Sequence, residues 1–567
     1  MRSRLSNRML CSLLAIFVVA PLMAACGIGT SPGDGGAATI TAEELATYTR
    51  ELSDDRLQGR GPAGPGEPPT LDYIAAAYER IGLVPVGNPA DDPESGRTYL
   101  QAVEMVGITT DPATAALAFT GSSESLPAMQ YGTDFVAWTP TETESLDIEG
   151  DLVFVGYGTV APEENWDDYK GQDMSGKVLV MLVGDPPLED VERFGGPAMT
   201  YYGRWTYKYE EAARQGAAGA ILVHDTGPAG YGWNVVEASW AGEQMSLPLP
   251  AGALPPAPLH GWITWDQGTE LFAAANLDID ELSAAAVSEE FEPVDLGLQA
   301  VAHIDSTLRH TSSNNVVGAL EGSDPEVSDE YILFAAHWDH FGVGSPIEGD
   351  AIYNGALDNA TGVGAILEIA EAFATMEPRA RRSILFIATT AEEQGLLGSA
   401  YYAANPIVPL EDTLALINVD GLNTWGPTED VLVVGLGNST LDDTLTEVLA
   451  ANGRTVAPDD EPEKGYFYRA DQFPFAKVGV PVLYTGTGVR YIGKPADFAD
   501  EIRQTYTQVH YHQPSDEFDP MWDFSGAEQD VRALYEVALI LAQGDAWPEW
   551  KPGTEFKAAR DEMMGGQ

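Results

Sequence analysis

Cysteine is nearly missing from this chain: Cys11 and Cys26 are all it has. Both stand at the extreme N-terminus, so a disulfide framework and a cysteine zinc site are excluded from everything downstream. Positive charge is scarce as well. Against 87 Asp and Glu stand 29 Lys and Arg, a formal net charge of -58. Such a field repels phosphate backbones and anionic membrane surfaces, which argues against nucleic acid as a partner. The acidity is spread along the chain rather than gathered in a tail, as expected for solubility or a saline milieu. Long apolar runs are lacking too, since the N-terminal one is shorter than the ~20 residues of a membrane span and no later run approaches it. A G-x-S-x-G nucleophile elbow is also missing, which leaves a serine hydrolase without support. Histidine is rare, at 8 residues, so any clustering of it carries information.

What is present begins with an export pattern. Arg2, Arg4 and Arg8 form a basic region, Leu13 to Leu22 an apolar one, and Met23-Ala24-Ala25-Cys26 a small-residue cleavage site ending in cysteine. The pattern resembles a bacterial lipoprotein signal, departing from it at Met23, where Leu or another aliphatic residue is usual. The expectation is a signal peptide over 1–25, a lipid on Cys26, and a flexible Gly/Ser/Pro-rich tether over 26–40. The product is then exported and membrane-anchored, facing the periplasm or cell exterior, with the lipid as its only membrane contact. An ordinary secretory signal with a soluble product is the alternative.

At 567 residues two or three domains are expected. Residues 41–132 read as the N-terminal part of a main domain, with a capping box at Thr41 and Glu44 and a helix over Leu71 to Ile81 stopped by Gly82. Between them a Gly- and Pro-rich loop holding Arg56 and Arg60 reads as a connector. Residues 133–293 carry short β-type runs with frequent Gly and Pro and one amphipathic helix, hence a smaller α/β unit. No ionisable cluster converges there, and His224 reads as structural. From 294 to 567 strands and helices alternate. That pattern predicts an α/β fold, with a mixed, mostly parallel sheet flanked by helices and ligands bound outside the carboxyl ends of its strands. The glycines of "VLVVGLGNST" lack the third position of a dinucleotide loop and read as a strand-to-helix turn.

Polar signatures stand at those strand ends. "AAHWDHFG" follows an apolar run, "NGALDNATGVG" opens a helix, "TTAEEQGLLGS" follows another run, and "LINVDG" and "YHQPSDEF" come later. Ending a buried strand in His, Asp or Glu costs stability unless a metal or partner compensates. The candidates are His337, Asp339, His340, Asp358, Glu392, Glu393, Asp420, His510, His512 and Asp516, all His or carboxylate, the ligands that suit a catalytic zinc. His340 reads as a cap or surface residue. Neighbouring side chains on an extended segment point oppositely, so Glu392 and Glu393 need different jobs.

As a set, in this order and at these separations, the motifs resemble the M28 family of zinc aminopeptidases, in particular its exported bacterial branch with an inserted protease-associated (PA) domain. The motif-bearing stretch covers about Ser313 to Phe518, the loop "LSDDRLQGRGPAGPGE" also looks like this branch, and 133–293 resembles the insert. The resemblance implies two zinc ions, one held by His337, Asp358 and Asp420 and the other by Asp358, Glu393 and His512. It further implies Glu392 as general base, Asp339 as the group that orients His337, and Tyr466 or Tyr468 as the oxyanion donor. His512 rather than His510 is the implied ligand, with Asp516 as its partner. The implied activity is removal of N-terminal residues from peptides. A carboxypeptidase or dipeptidase of the same family, a glutaminyl-cyclase-like acyltransferase and a non-catalytic receptor-like protein are the rivals.

Overall fold

The computed structural model describes residues 34–90, 96–121, 126–188, 193–240, 242–250 and 252–565. The expected signal segment and Cys26 lie outside the described residues. Of the expected tether only the end is described: Asp34–Ala37 forms a short helix and Ile40 is fully buried, so the chain is already docked there. No helix among the described residues is long and apolar enough to cross a membrane.

The apolar runs of the second half become strands buried on both faces. Ser383–Thr389 and Thr413–Asn418 are buried throughout, and in Tyr331–His337 only the first residue is partly exposed. Continuous rather than alternating burial is what a sheet covered on both sides demands. Tyr331–His337 pairs in parallel with Ser383–Thr389 on one side and Thr413–Asn418 on the other. Val482–Gly486 adds in parallel to Thr413–Asn418. Asp430–Val433 then runs antiparallel to Val482–Gly486 and parallel to the edge strand Thr455–Pro458. On the far side Ser383–Thr389 meets the long strand Val294–Leu320 in antiparallel fashion. The sheet is thus mixed and mostly parallel, flanked by helices, as the alternation of elements predicts.

Period-two geometry divides the side chains between two layers. Phe334 and Phe386 point to the face covered by the helices Thr361–Thr375 and Ser525–Gln543. Their rings stack at 5.5 Å. Leu333 and Leu385 point to the other face, under the helices Leu397–Ala404 and Gln472–Lys477.

The long strand belongs to two sheets. Its 27 residues begin in a second core, where Leu296, Leu298, Ala300, Ala302 and Ile304 alternate inward and pair with Ser145–Phe154. It then runs alongside Leu100–Thr110 and ends in the main sheet. The smaller unit is a parallel run of Ser145–Phe154, Val178–Leu182, Gly219–His224 and Leu259–Thr264, edged by Phe135–Trp138 in antiparallel pairing. Its core draws on residues from Leu117 to Ile304, reaching past both ends of 133–293. Strand alternation does not pause at a unit boundary, so composition leaves that boundary unmarked. His224 holds the Tyr231 carbonyl through Nε2 at 3.0 Å. The unit docks on the main domain through Met199 N–H to the Pro462 carbonyl at 3.0 Å, Tyr201 against Phe473 at 4.9 Å, and Lys477 to Glu210 at 2.8 Å.

The capping box forms by half. Thr41 Oγ accepts the Glu44 N–H at 3.2 Å, but the Thr41 N–H donates to Glu368 at 3.0 Å rather than to Glu44. The other carboxylate oxygen of Glu368 is buried without a partner, and burial pushes this acid up to about 7. The folded state therefore binds the proton more tightly than the unfolded chain. Stability contributed by the protonated acid is lost as pH rises from about 4.5 through about 7. Glu368→Gln keeps the acceptor and removes the charge. The expected result is a higher urea midpoint at pH 8 and a smaller difference at pH 5; an unchanged or lower midpoint at pH 8 contradicts it. Phe386→Ala removes one of the stacked rings and is expected to cost about 3–5 kcal/mol in the same measurement.

Candidate metal centre

Each central strand delivers a functional group at its carboxyl end. His337 is the last residue of its strand. Glu392 and Glu393 follow Ser383–Thr389, and Asp420 follows Thr413–Asn418. Asp358 comes from the turn before the helix Thr361–Thr375, and His512 from the segment after Tyr506–His510.

Those turns are held by specific contacts. Gly355 sits at φ +54, and a Cβ there would strike the Asp358 carbonyl and the His340 ring, so this is a position for glycine. Asn359 Oδ1 accepts the N–H groups of Gly362 and Gly421, and its Nδ2 donates to the Val419 carbonyl, each at 2.9 Å. One side chain thereby locks the Asp358 turn to the Asp420 loop. Asn315 Oδ1 accepts the Thr390 N–H at 3.0 Å, fixing the approach to Glu392. Ala391 and His512 are held at φ +53 and +59; left-handed backbone at non-glycine residues stores strain of about 1–3 kcal/mol, and such strain clusters at functional sites.

The side chains then converge. His337 Nε2 lies 3.2 Å from Asp358 Oδ1 and 3.2 Å from Asp420 Oδ1. His512 Nε2 lies 3.5 Å from Asp358 Oδ2 and 3.2 Å from Glu393 Oε2. Asp358 therefore faces one histidine with each oxygen. Glu392 places a carboxylate oxygen within 4.8 Å of donor atoms of both His337 and Glu393. His510 turns away, its Nδ1 on the Ser515 carbonyl at 3.0 Å.

The roles expected of several other residues change. Asp339 holds His337 through its main-chain carbonyl, 3.1 Å from Nδ1. Its carboxylate is 3.9 Å away and instead accepts the Glu392 N–H at 3.1 Å. Asp516 does not partner His512; it accepts the N–H groups of Leu357 and Asp358, both at 3.1 Å, and so supports the turn that carries Asp358. The Tyr468 hydroxyl bonds Glu555 and its ring packs on Phe473 at 5.3 Å, which removes it as an oxyanion donor. Tyr484, in the middle of Val482–Gly486 and in register with Asn418, is a phenol held well above its usual range by burial and then by Asp420 and Glu392. Only the pairing of those two strands brings it there. His340, read as a cap or surface residue, is fully buried, with Nδ1 2.5 Å from Glu393 Oε1.

Arg60, read as part of a connector, is buried beneath the site. Its guanidinium donates to the carbonyls of Trp338 at 2.7 Å, Leu52 at 2.8 Å, Asn354 at 2.5 Å and Gly355 at 2.8 Å. It ties together the backbones that carry His337, His340 and Asp358. Burial lowers it to about 10, against the pull of Asp516, Asp339 and Asp358, so it stays charged at neutral pH.

Electrostatics show what the donor set is built for. Burial, then Asp420 and Glu393, hold Glu392 well above the carboxylate range although His337 opposes them. Burial, then Asp358, holds Glu393 at about 8 against the pull of His512. Burial would raise Asp358 too, but hydrogen bonds from His337 and His512 carry it well below its usual range. Crowded, half-buried carboxylates with imidazole nitrogens between them suit a dication, which offsets their repulsion and takes N and O ligands. His337, Asp358 and Asp420 present donor atoms within 4.8 Å of one another, as do His340, Asp358 and Glu393. The donors fit a zinc-type metal.

Comparison with known proteins agrees with this chemistry. Residues 315–534 match the model of peptidase family M28, a span containing every residue of the cluster. Aminopeptidase NAALADL1 of Mus musculus is 31% identical over 130 residues, 22% of this chain and 16% of that protein. A probable zinc metalloprotease of Pyrenophora tritici-repentis is 28% identical over 211 residues, 36% of this chain and 46% of its own length. The aligned part spans less than half of either relative. Among solved structures, an aminopeptidase from Aneurinibacillus sp. strain AM-1 superposes with a TM-score of 0.49 at 17% identity, covering 90% of this chain and 96% of that one.

Arg60→Lys keeps the charge but loses the planar fork, leaving buried carbonyls unsatisfied. The expected outcome is a loss of about 3 kcal/mol in urea denaturation, together with reduced metal content by elemental analysis. Wild-type stability and metal content in this variant contradict the stapling role.

Proposed function

We propose that this chain, which belongs to peptidase family M28 through residues 315–534, is an exported two-zinc aminopeptidase that removes N-terminal residues from peptides. The observation that carries the reading is Asp358, whose two oxygens face His337 and His512, the arrangement a bridging carboxylate needs. His337, Asp358 and Asp420 would hold one ion, and Asp358, Glu393 and His512 the other. When bound, such ions supply Lewis-acid polarisation of a scissile carbonyl and a more acidic water.

The chain's own groups do the rest. Glu392, beside His337 and Glu393 but paired with neither histidine, would be ionised once bound dications offset the burial and neighbouring carboxylates that raise it, and would then take a proton from the attacking water and return it to the leaving amine. His340 donates from Nδ1 to Glu393 and so aims that carboxylate, since burial keeps the imidazole neutral, at about 4. With a cation bound, the Asp339 carbonyl, accepting from Nδ1, would leave His337 Nε2 unprotonated and available as a ligand. Tyr484, in register with Asn418 two residues before Asp420, would donate to an oxyanion. A free substrate amine is favoured by the surrounding carboxylates. Export rests on the N-terminal pattern ending at Cys26, and the smaller unit is taken as the PA insert, covering one side of the site.

Glu392→Gln is expected to retain its metal by elemental analysis and to lose about 10³-fold in kcat; near-normal turnover rules out the assigned base. Asp358→Ala is expected to lose metal, so full zinc retention excludes the bridge. The amine preference is checked with leucyl-p-nitroanilide and its N-acetyl derivative. Cleavage of the free form alone is the expected result, and equal cleavage of both refutes the aminopeptidase assignment.

A further inference from the structure

Phe341 gives the metal centre an aromatic rim. Its ring lies 4.6 Å from the His512 ring and 5.0 Å from the His340 ring, centroid to centroid. It is nevertheless 39% exposed, so part of it packs on the candidate ligands while the rest faces outward. The chain then enters a two-stranded hairpin, Gly342–Ile347 paired with Asp350–Tyr353, which carries Val343 at 56% and Ile347 at 43% exposure. Single exposed apolar residues need no explanation, but three within 341–347, beside a cluster of carboxylates, mark a binding surface.

The hairpin is anchored at its base. Tyr353 packs beside Phe341 at 6.2 Å, and its hydroxyl donates to the Ser345 carbonyl at 3.0 Å. A Cβ at Gly59 would strike the carbonyls of Gly342 and Tyr353, and one at Gly61 would come within 3.1 Å of the Gly342 Cα. These close approaches seat the hairpin on the loop that carries Arg60, whose guanidinium holds the next two carbonyls, Asn354 and Gly355. The rim thus shares its scaffold with His340 and Asp358.

Charge sets the direction in which a peptide crosses this rim. On the His512 side of Asp358, Glu393 is occupied by His340 at 2.5 Å and by His512 at 3.2 Å. On the His337 side, Asp420 faces one histidine, at 3.2 Å, and its side chain is 19% exposed against 4% for Glu393. A substrate ammonium is drawn to the more open and less compensated carboxylate, Asp420. The residue after the scissile bond then lies toward His512, where the group offered to it is the outward part of the Phe341 ring. Resting on the peptidase reading, we propose that Phe341, with the hairpin behind it, selects the second residue of the peptide and favours an apolar side chain there. The N-terminal residue that is removed is read elsewhere.

The test is kcat/KM of the metal-loaded enzyme on Leu-Phe-amide, Leu-Leu-amide and Leu-Ser-amide, which differ in the second residue, and on Leu-Gly-amide and Ala-Gly-amide, which differ in the first. The wild-type enzyme is expected to favour Leu-Phe-amide over Leu-Ser-amide by about tenfold or more, chiefly through KM. Phe341→Asn is expected to bring that ratio near one and to leave the ratio of Leu-Gly-amide to Ala-Gly-amide as in wild type. Phe341→Leu is expected to keep the apolar preference and to lose the advantage of Phe over Leu. Elemental analysis of each variant separates a lost contact from a disturbed His512; where Phe341→Asn loses metal, Val343→Asp on the hairpin is expected to lower the same second-residue ratio. A wild-type ratio near one, with all the peptides cleaved, overturns this inference and leaves the peptidase reading standing. A ratio preserved in metal-loaded Phe341→Asn, or in Val343→Asp where that variant replaces it, overturns the assignment to this rim. A change confined to the first-residue ratio overturns the direction of the peptide and the inference with it. Failure to cleave any of these peptides overturns the peptidase reading itself.

Discussion

Crowding carboxylates into a half-buried space is the constraint on which the rest of this structure depends. Asp358, Glu392, Glu393 and Asp420 meet at the carboxyl ends of buried strands, where each charge raises the cost of the next. Nothing in a hydrophobic core favours such a gathering. It persists because the surroundings over-determine it: Asn359 ties two of the loops, Asp516 supports the Asp358 turn, and Arg60 gathers the carbonyls beneath. The histidines then divide the carboxylate oxygens between them. The protein's own hydrogen bonds thus fix the loops that carry the donors.

Positive charge is scarce, and among the described residues most arginines of this acidic chain are bound to carboxylates or carbonyls. The smaller unit packs on the main domain through Tyr201 against Phe473 and Lys477 with Glu210. The long strand runs from one core into the other, so the two units share a continuous backbone element rather than a loose linker.

Much of the main sheet was legible because buried parallel strands are written as uninterrupted apolar runs, and Ser383–Thr389 can be read directly from its residues. The metal-binding candidates were legible for a related reason: a His or Asp at the end of such a run has no structural motive. Other parts were not. His340 looked like any polar residue after a strand, and Arg60 like a loop residue in a glycine-rich connector, since neither signal distinguishes a buried side chain from a solvated one. Tyr468 looked suitable by its neighbours in sequence, yet its hydroxyl is committed to Glu555. The limits of the smaller unit were hidden inside an unbroken alternation.

The sequence by itself determined the periodicity, the order of strands and helices, and the residue types available for coordination, because each depends on near neighbours along the chain. It also excluded cysteine chemistry after residue 26. Only the tertiary structure decided which oxygen faces which histidine, that Asp339 holds His337 by its carbonyl, that the Tyr468 hydroxyl is committed to Glu555, and that Arg60 is buried beneath the site. Those are relations between residues far apart in the chain. They are fixed by sheet register, by the close approach allowed at Gly355 and by the packing of one unit on another, none of which a local pattern encodes.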